Sequence, residues 1–328
     1  MTTPPRPSLG QWLARNSWVG PLIALVALYA VFSVLVPDSF PTAGNLRTMV
    51  RQTTVVGIAA LGMTMVVILG GIDLSVGSIV AFTTVAVAAL LQAGVSPALA
   101  ALGGILVAAA CGLFNGMLIT GLRVMPFIVT LGAMGIIRGA AKGLAHEQKI
   151  DAPMSWINEL IAELPAGSRW MLLPPGVWLL IVLACLVGAL LHYTRFGRHI
   201  FAIGSNEQTA RLCGVQVARV KTAVYTISAA LAGIAGVMQF ARLTVGDPTV
   251  ANGLELDVIA AVVIGGGTLS GGEGSVLGAL LGAMLMTEIK TGGTHMGLSN
   301  WVQEIITGVI IIVAVALDRL RHRGTGAG

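Results

Sequence analysis

Five polar side chains lie within or beside long apolar stretches, where a polar group is expensive if lipid surrounds it. They are Asp73, Ser75, Asn115, Thr130 and Gln239. Their carboxylate, hydroxyl and amide groups are donors and acceptors suited to a hydroxyl-rich solute, which makes them candidates for a substrate pathway. Asp73 and Ser75 are equally good helix N-caps, and Asn115 is equally suited to an interhelical hydrogen bond, so a structural role stays open.

A second candidate for chemistry is the glycine-rich stretch 268–275, "TLSGGEGS". Its Leu-Ser-Gly-Gly-Glu differs by one residue from the Leu-Ser-Gly-Gly-Gln with which ATPases of one class hold a γ-phosphate. Such ATPases also need a glycine-rich loop ending in Gly-Lys-Ser/Thr, and none of Lys142, Lys149, Lys221 and Lys290 follows a glycine. We therefore predict a tight turn between two helices, since glycine accepts positive φ without steric cost. Residues 70–78 form a similar glycine-serine stretch.

No metal, redox or catalytic constellation is evident. The five histidines, at positions 146, 192, 199, 295 and 322, show no spacing typical of metal ligands. The three cysteines, at positions 111, 185 and 213, are an odd number and indicate no disulfide framework. Glu255 and Asp257 open an apolar run, where a helix dipole favours acids. We expect no catalytic residue, no metal and no cofactor.

The elements that position these residues follow from composition. Hydrophobic residues make up 55% of the 328 residues and charged residues 10%, and the mean hydropathy is +0.88. A membrane-spanning helix needs about 20 mostly apolar residues, and such windows recur along the chain. We predict an all-α, polytopic integral membrane protein with about ten spans, at residues 19–36, 53–69, 78–92, 97–120, 126–143, 174–192, 222–241, 254–267, 275–290 and 300–317. The third, eighth and ninth windows are short, so broken or re-entrant helices are expected among them.

The charge pattern predicts the orientation, because basic residues of short loops stay cytoplasmic. One transmembrane domain, 19–317, lies between tails 1–18 and 318–328, and both tails are expected in the cytoplasm with the basic loop 193–221. The acidic insert 144–173 falls on the opposite face. The basic residues that set this orientation are Arg6, Arg15, Arg195, Arg198, Arg211, Arg219, Lys221, Arg319, Arg321 and Arg323. The net charge of +5 is therefore a topology signal and not a nucleic-acid footprint.

The basic loop contains a short helix with a start and a stop signal. Ser205 is a candidate N-cap with Gln208 completing a capping box, and Gly214 suits the left-handed position after the helix. A helix of one or two turns is unstable alone. It therefore either docks on a partner or belongs to a solvated basic loop.

Several longer stretches carry a family resemblance. They are "GMTMVVILGGIDLSVGSIVAF" (62–82), "FNGMLI" (114–119), "PFIVTLGAMGIIRGAA" (126–141), "TRFGRHIFAIGSNEQTARLCGVQV" (194–217) and "ELDVIAAVVIGGGTLSGGEGSVLGALLGA" (255–283). Together they resemble the ribose-type permease family of bacterial ABC sugar importers, in the family's order and over nearly the whole chain.

The resemblance implies a membrane subunit of the bacterial inner membrane that translocates a small sugar. It implies cytoplasmic ATPase subunits, an extracytoplasmic binding protein, and a second permease copy or a sibling permease. It also implies that the short helix is a coupling helix seated in a groove of the ATPase, carried here by Gly204, Ser205, Asn206, Ala210, Arg211 and Gly214. Ala210 would allow close approach and Arg211 would meet acids of the partner.

Three alternatives remain. Permeases for branched-chain amino acids or nucleosides belong to the same superfamily. A proton- or sodium-coupled carrier would need an ionisable relay deep in the spans, where only Glu288 and Glu304 near span ends are available. A membrane enzyme acting on lipid-linked sugars would need clustered acids or a metal site, and the insert 144–173 has acids without a histidine partner.

Overall fold

A computed structural model of the chain describes residues 18–164 and 171–325, with side chains described up to residue 316. The predicted N-terminal tail, with Arg6 and Arg15, lies outside the described residues apart from residue 18. Arg169 and the side chains of Arg319, Arg321 and Arg323 are also outside them.

Regular structure in this part of the chain is almost entirely helical, which confirms the all-α prediction. The helices are α1 Val19–Leu35, α2 Ala43–Ile68, α3 Val76–Gln92, α4 Pro97–Leu122, α5 Pro126–Leu144, α6 Trp156–Glu159, α7 Pro175–Tyr193, α8 Arg195–Ser205, α9 Glu207–Leu212, α10 Val217–Leu243, α11 Leu254–Ile264, α12 Val276–His295 and α13 Asn300–Thr325. Two short strands, β1 Ile150–Asp151 and β2 Val245–Gly246, pair antiparallel. Proline stands in the first turn of α4, α5 and α7, where its fixed φ suits a helix start.

Five helices of the described chain are long and apolar enough to cross a membrane: α2, α4, α5, α7 and α10. Helices α1, α3 and the first part of α13 are apolar but shorter. Helix α11 has 11 residues, which is about 16 Å at 1.5 Å per residue. Because the hydrocarbon core is about 30 Å thick, α11 is too short to cross alone, as the short eighth window anticipated.

Several helices extend beyond the apolar windows that predicted them. Helix α2 begins at Ala43 and not at residue 53, and α12 continues to His295. The added turns carry polar residues, among them Asn45, Gln52 and Thr294. A hydropathy window misses such turns because it scores polarity, whereas the helix continues as long as its backbone hydrogen bonds are satisfied.

Helices α2 and α10 form the centre of the bundle and are mostly buried, whereas α4, α5 and α7 expose apolar side chains outward. Small residues form a stripe on α4 at intervals of four: Ala108, Gly112 and Gly116 meet α10, whereas Gly104 meets α3. A Cβ added at Gly112 would lie 2.3 Å from the Tyr225 carbonyl oxygen. Small residues let membrane helices approach closely, so this stripe brings the backbones of α4 and α10 together.

Three glycine-containing segments meet where α2 ends. The Gly272 amide donates a hydrogen bond to the Ile68 carbonyl oxygen at 2.8 Å. A Cβ added at Gly204, near the end of α8, would lie 1.7 Å from the same oxygen. Gly271 and Gly272 have φ of +87° and +82°, so the stretch 268–275 is the tight turn that the sequence predicted. We call this meeting of α2, α8 and the turn the glycine junction.

Candidate functional site

Four of the five predicted pathway residues come together at the turn between α2 and α3. Asp73 Oδ1 accepts hydrogen bonds from the Ser75 amide at 2.8 Å and from Ser75 Oγ at 2.6 Å. Asn115 Nδ2 donates to Ser75 Oγ at 2.9 Å. Thr130 Oγ1 accepts from the Leu74 amide at 3.2 Å and lies 3.1 Å from the Ile72 carbonyl oxygen. These contacts tie α4 and α5 to the turn.

The four side chains are fully buried and bind one another or the turn backbone. Ser75, and not Asp73, is the N-cap residue of α3, and its side chain makes no capping bond. Asp73 instead closes a turn over its own neighbouring backbone. Asp73 Oδ2 and Asn115 Oδ1 accept no hydrogen bond from the described residues. The geometry therefore supports the structural role for these residues, while their place in a pathway stays a prediction.

Gln239 lies elsewhere, in a polar cavity between α2, α10, α11 and α12 at the end of the bundle that holds β1 and β2. The cavity has a volume of about 570 Å³, within the roughly 300–1,000 Å³ typical of small-molecule sites. Its polar lining residues are Asn45, Thr48, Gln52, Gln239, Arg242, Asn252, Asp257, Thr287, Lys290, Thr291, Thr294 and His295. We call it the polar cavity.

Part of this lining is held in place by its own hydrogen bonds. Asn45 Nδ2 donates to the Phe40 carbonyl oxygen at 2.8 Å, and Asn45 Oδ1 lies 3.2 Å from His295 Nε2. His295 Nδ1 lies 2.7 Å from Ser39 Oγ, and the imidazole stands edge-on to the Phe40 ring at 5.8 Å between centroids. This wall of the cavity is therefore held together by contacts within the chain.

The polar cavity also contains an ion pair between Asp257 and Lys290. Asp257 and Glu255 lie in the first turn of α11, as expected. Asp257, however, is buried and binds the ammonium group of α12, which the helix-start interpretation did not anticipate. The hydroxyl of Thr291, next to Lys290, has no partner among the described residues. Together these groups offer donors and acceptors to a polar solute.

Sequence reasoning missed most of this cavity, including Asn45 and Lys290. A signal was present in α12, where Thr287, Lys290, Thr291 and Thr294 lie three or four residues apart and so share one helix face. A polar stripe of this kind on an otherwise apolar helix indicates a face that does not meet lipid.

The basic loop contains two helices, and its short helix starts one residue later than predicted. Ser205 is the last residue of α8, and Asn206 is the N-cap of α9, whose Oδ1 accepts from the Thr209 amide at 2.8 Å. The predicted cap was wrong because α8, which the sequence interpretation did not include, extends through Ser205. Gly214 has φ of +84°, as the predicted left-handed C′ position requires.

The exposed side of α9 differs from the one expected. Ala210 is 5% exposed and packs against this chain's own core, so its small size serves internal packing. Leu212 is 88% exposed and Arg211 is exposed beside it. The surface that α9 presents is therefore Leu212 and Arg211, and the expectation that Ala210 faces a partner is corrected.

The base of α9 is held by Glu207. Its carboxylate lies 2.6 Å from Lys221 Nζ and 3.0 Å from Arg211 Nη2. Burial alone would raise the pKa of Glu207, but the hydrogen bonds and charges of Lys221 and Arg211 outweigh it and lower that pKa. Glu207 is therefore ionised at neutral pH and links α9 to α10.

Comparison with known proteins identifies the family. A family model described as "Branched-chain amino acid transport system / permease component" matches residues 45–315. The ribose import permease protein of Escherichia coli strain K12 is 37% identical over 301 residues, which are 92% of this chain and 93% of that protein. The chain belongs to the ribose-type permease family. It is a membrane transport protein by family and by its apolar helices.

Other relatives agree with this assignment. The ribose import permease protein of Bacillus subtilis is 38% identical to this permease over 92% of both chains. The L-arabinose ABC transporter permease protein of Azospirillum brasilense is 36% identical over 97% of this permease and 92% of that protein. No solved structure was found to match this permease.

Proposed function

We propose that this permease is the membrane subunit of an ABC importer and translocates a monosaccharide delivered by an extracytoplasmic binding protein. The observation that carries the proposal is the match over nine tenths of both chains to permeases named for ribose and arabinose import. The polar cavity is consistent with it, because amides and hydroxyls such as Asn45, Gln239 and Thr291 suit the hydroxyl groups of a sugar.

The proposed orientation places both termini and α8–α9 in the cytoplasm, and β1 and β2 outside the bacterial inner membrane. Separate cytoplasmic ATPase subunits would supply the energy, and this chain would have no ATPase of its own. A second permease copy or a sibling permease would complete the membrane core. Two features support this orientation: the basic charge of α8, α9 and the start of α10, and the exposed side chains Arg211 and Leu212 of α9.

The glycine junction offers a route from α9 to the polar cavity. The last residues of α8 touch the end of α2 and the turn before α12. Helices α2 and α12 then run to the cavity, where they supply Asn45 and Lys290. Since a packed helix moves as a rigid element, a displacement of α8 and α9 by the ATPase would shift both cavity walls together.

The test is uptake into proteoliposomes that contain this permease, its ATPase and its binding protein. We expect ATP-dependent uptake of a monosaccharide from a panel of ribose, arabinose, fructose, leucine and a nucleoside. Gln239→Leu should lower uptake at least tenfold while ATPase binding stays intact, because it removes an amide from the cavity. Gln92→Leu is the matched control, since Gln92 is exposed at the end of α3.

Two results would overturn the proposal. Uptake of leucine or the nucleoside, with none of the sugars carried, would identify the permease with the other branch of its superfamily. Sugar uptake that continues after ATP depletion but is abolished by an uncoupler would identify a secondary carrier.

A further inference from the structure

A basic pocket opens where α4 ends and α10 begins, far from the polar cavity. It has a volume of about 540 Å³ and contains four cations against one carboxylate. The charged residues that line it are Arg123, Arg211, Arg219, Lys221 and Glu207. We call it the basic pocket.

Its positive charge is only partly neutralised within the chain. Glu207 binds Arg211 and Lys221, and its lowered pKa keeps it ionised. Arg219 donates to Gln216 Oε1 at 2.6 Å, a neutral group. Arg123, which follows α4, has no hydrogen bond or ion pair with the described residues. Arg123 and Arg219 are therefore two guanidinium groups available to an anion.

An apolar groove leads into this pocket along the outer surface of α4 and α10. It has a volume of about 530 Å³ and is lined mainly by Leu113, Met117, Thr222, Ala223, Thr226 and Ile227. Ala218 and Arg219 line both the groove and the basic pocket, so the two are continuous. From Arg219 to Ile227 the groove follows α10 for about 12 Å at 1.5 Å per residue, close to half of the roughly 30 Å hydrocarbon thickness.

We propose that the groove and the basic pocket together bind one anionic glycerophospholipid of the leaflet on that side. Its phosphate would lie between Arg123 and Arg219, because the guanidinium fork matches phosphate oxygens in a bidentate way. One acyl chain would lie against Ala223 and Met117 in the groove. The proposal rests on the membrane embedding of the chain and not on the identity of the transported substrate.

Charge complementarity and continuity select a lipid over other occupants. An acidic protein surface could reach the basic pocket but would leave the apolar groove unfilled. A free phosphate ion would use the arginines and make no contact with the groove. A zwitterionic lipid would fill the groove, but its headgroup cation would face four basic side chains.

The test is native mass spectrometry of the purified permease in detergent, which reports bound lipid and the number of protein copies in one spectrum. Delipidated protein is titrated with phosphatidylglycerol, phosphatidylcholine or inorganic phosphate. We expect one phosphatidylglycerol per chain to bind at least tenfold more tightly than phosphatidylcholine. The comparison needs no variant, so it stands even if a substitution impairs folding.

Variants then separate the two halves of the site. Arg123→Gln with Arg219→Gln should weaken phosphatidylglycerol binding at least tenfold by removing the phosphate contacts. Ala223→Phe should weaken it to a similar degree by filling the groove without changing the charge. Arg195→Gln with Arg198→Gln, on exposed positions of α8, removes the same charge outside the pocket and should leave binding within twofold of the unmodified protein.

Four outcomes would overturn the proposal. Equal binding of both lipids would remove the headgroup preference, and unchanged binding in the Arg123/Arg219 variant would exclude the pocket. Strong binding of inorganic phosphate that displaces phosphatidylglycerol, with no effect of Ala223→Phe, would indicate a free-anion site. Loss of a dimer in Ala223→Phe without loss of lipid would identify the groove as an interface between copies.

Discussion

At the scale of single residues, the buried carboxylate of Asp73 shows how a polar group is kept in an apolar bundle. Its Oδ1 accepts two hydrogen bonds from Ser75, and Asn115 extends the chain of bonds to α4. A buried donor left without its acceptor costs about 1–3 kcal/mol. The side chain therefore stabilises the turn before α3 through its acceptor geometry.

We predict that Asp73→Asn and Asp73→Ala separate acceptor geometry from charge. Asparagine retains an oxygen at the same position, so Asp73→Asn should keep expression and the thermal unfolding midpoint close to those of the unmodified protein. Asp73→Ala leaves the amide and hydroxyl of Ser75 without their acceptor and should lower the free energy of unfolding by about 2–4 kcal/mol. Thermal unfolding in detergent measures both.

Transport assays complete this comparison. If Asp73→Asn folds normally but abolishes uptake, the charge has a role in the pathway beyond the turn. Unchanged stability in both variants would show that the bonds to Ser75 do not stabilise the fold.

At the scale of elements, the turn before α12 depends on glycine for two reasons. Gly271 has φ of +87°, and a Cβ there would lie 2.8 Å from the Gly204 carbonyl oxygen and 2.9 Å from Gly70 Cα. Gly253, before α11, has φ of +78° but open space around it. Alanine substitutions at Gly271 and Gly253 therefore separate the effect of steric crowding from the effect of backbone strain.

We predict that Gly271→Ala destabilises the protein more than Gly253→Ala. Both variants carry the cost of a left-handed alanine, about 1–2 kcal/mol, and Gly271→Ala adds overpacking of about 1–3 kcal/mol. The thermal unfolding midpoints of the two variants test this. Equal midpoints would mean that the glycine junction relaxes around a methyl group and is not a tight contact.

The proposed coupling role of α9 gives a prediction about which of its side chains would contact the ATPase. Leu212→Asp should leave folding unchanged, because Leu212 is exposed in this chain, yet it should abolish co-purification of the ATPase. Arg211→Gln is the milder neighbouring change and should weaken association by no more than about 1 kcal/mol in a salt-dependent way.

Ala210→Trp serves as the contrasting variant on the same helix. Since Ala210 is buried against this chain's core, added volume should lower the amount of folded permease in the membrane. Normal levels of Ala210→Trp with loss of the ATPase would show instead that Ala210 faces the partner. Full ATPase binding by Leu212→Asp would exclude the exposed side of α9 as the contact.

At the scale of the whole molecule, the described residues form one helical bundle, and the stretch that resembles an ATPase signature is a turn within it. We predict that the purified permease hydrolyses no ATP above a detergent blank, because it lacks the phosphate-binding lysine motif. As a control for contaminating ATPase, the permease is also purified from cells that co-express its ATPase partner with the phosphate-binding lysine of that ATPase removed. Turnover by clean protein that disappears in Gly271→Ala would contradict the prediction.

Much of the architecture is determined locally by the sequence. Apolar windows, prolines in the first turns of α4, α5 and α7, and glycines at positive φ specify where helices and turns occur, because these preferences act within a few residues. The same holds for Gly214 after α9. The transport role was predicted from the stretches that resemble the permease family, since no single residue type implies it.

The tertiary structure decided which polar residues share a site. Asp257 contacts Lys290, which is 33 positions away in the sequence, and Asn45 contacts His295, which is 250 positions away. Over such separations a sequence pattern does not indicate which residues become neighbours. The same packing buries Ala210 and exposes Leu212, although both lie on one short helix. Burial depends on how α8, α9 and α10 pack against the bundle, so the exposed side of α9 and the lining of the polar cavity follow only from the folded chain.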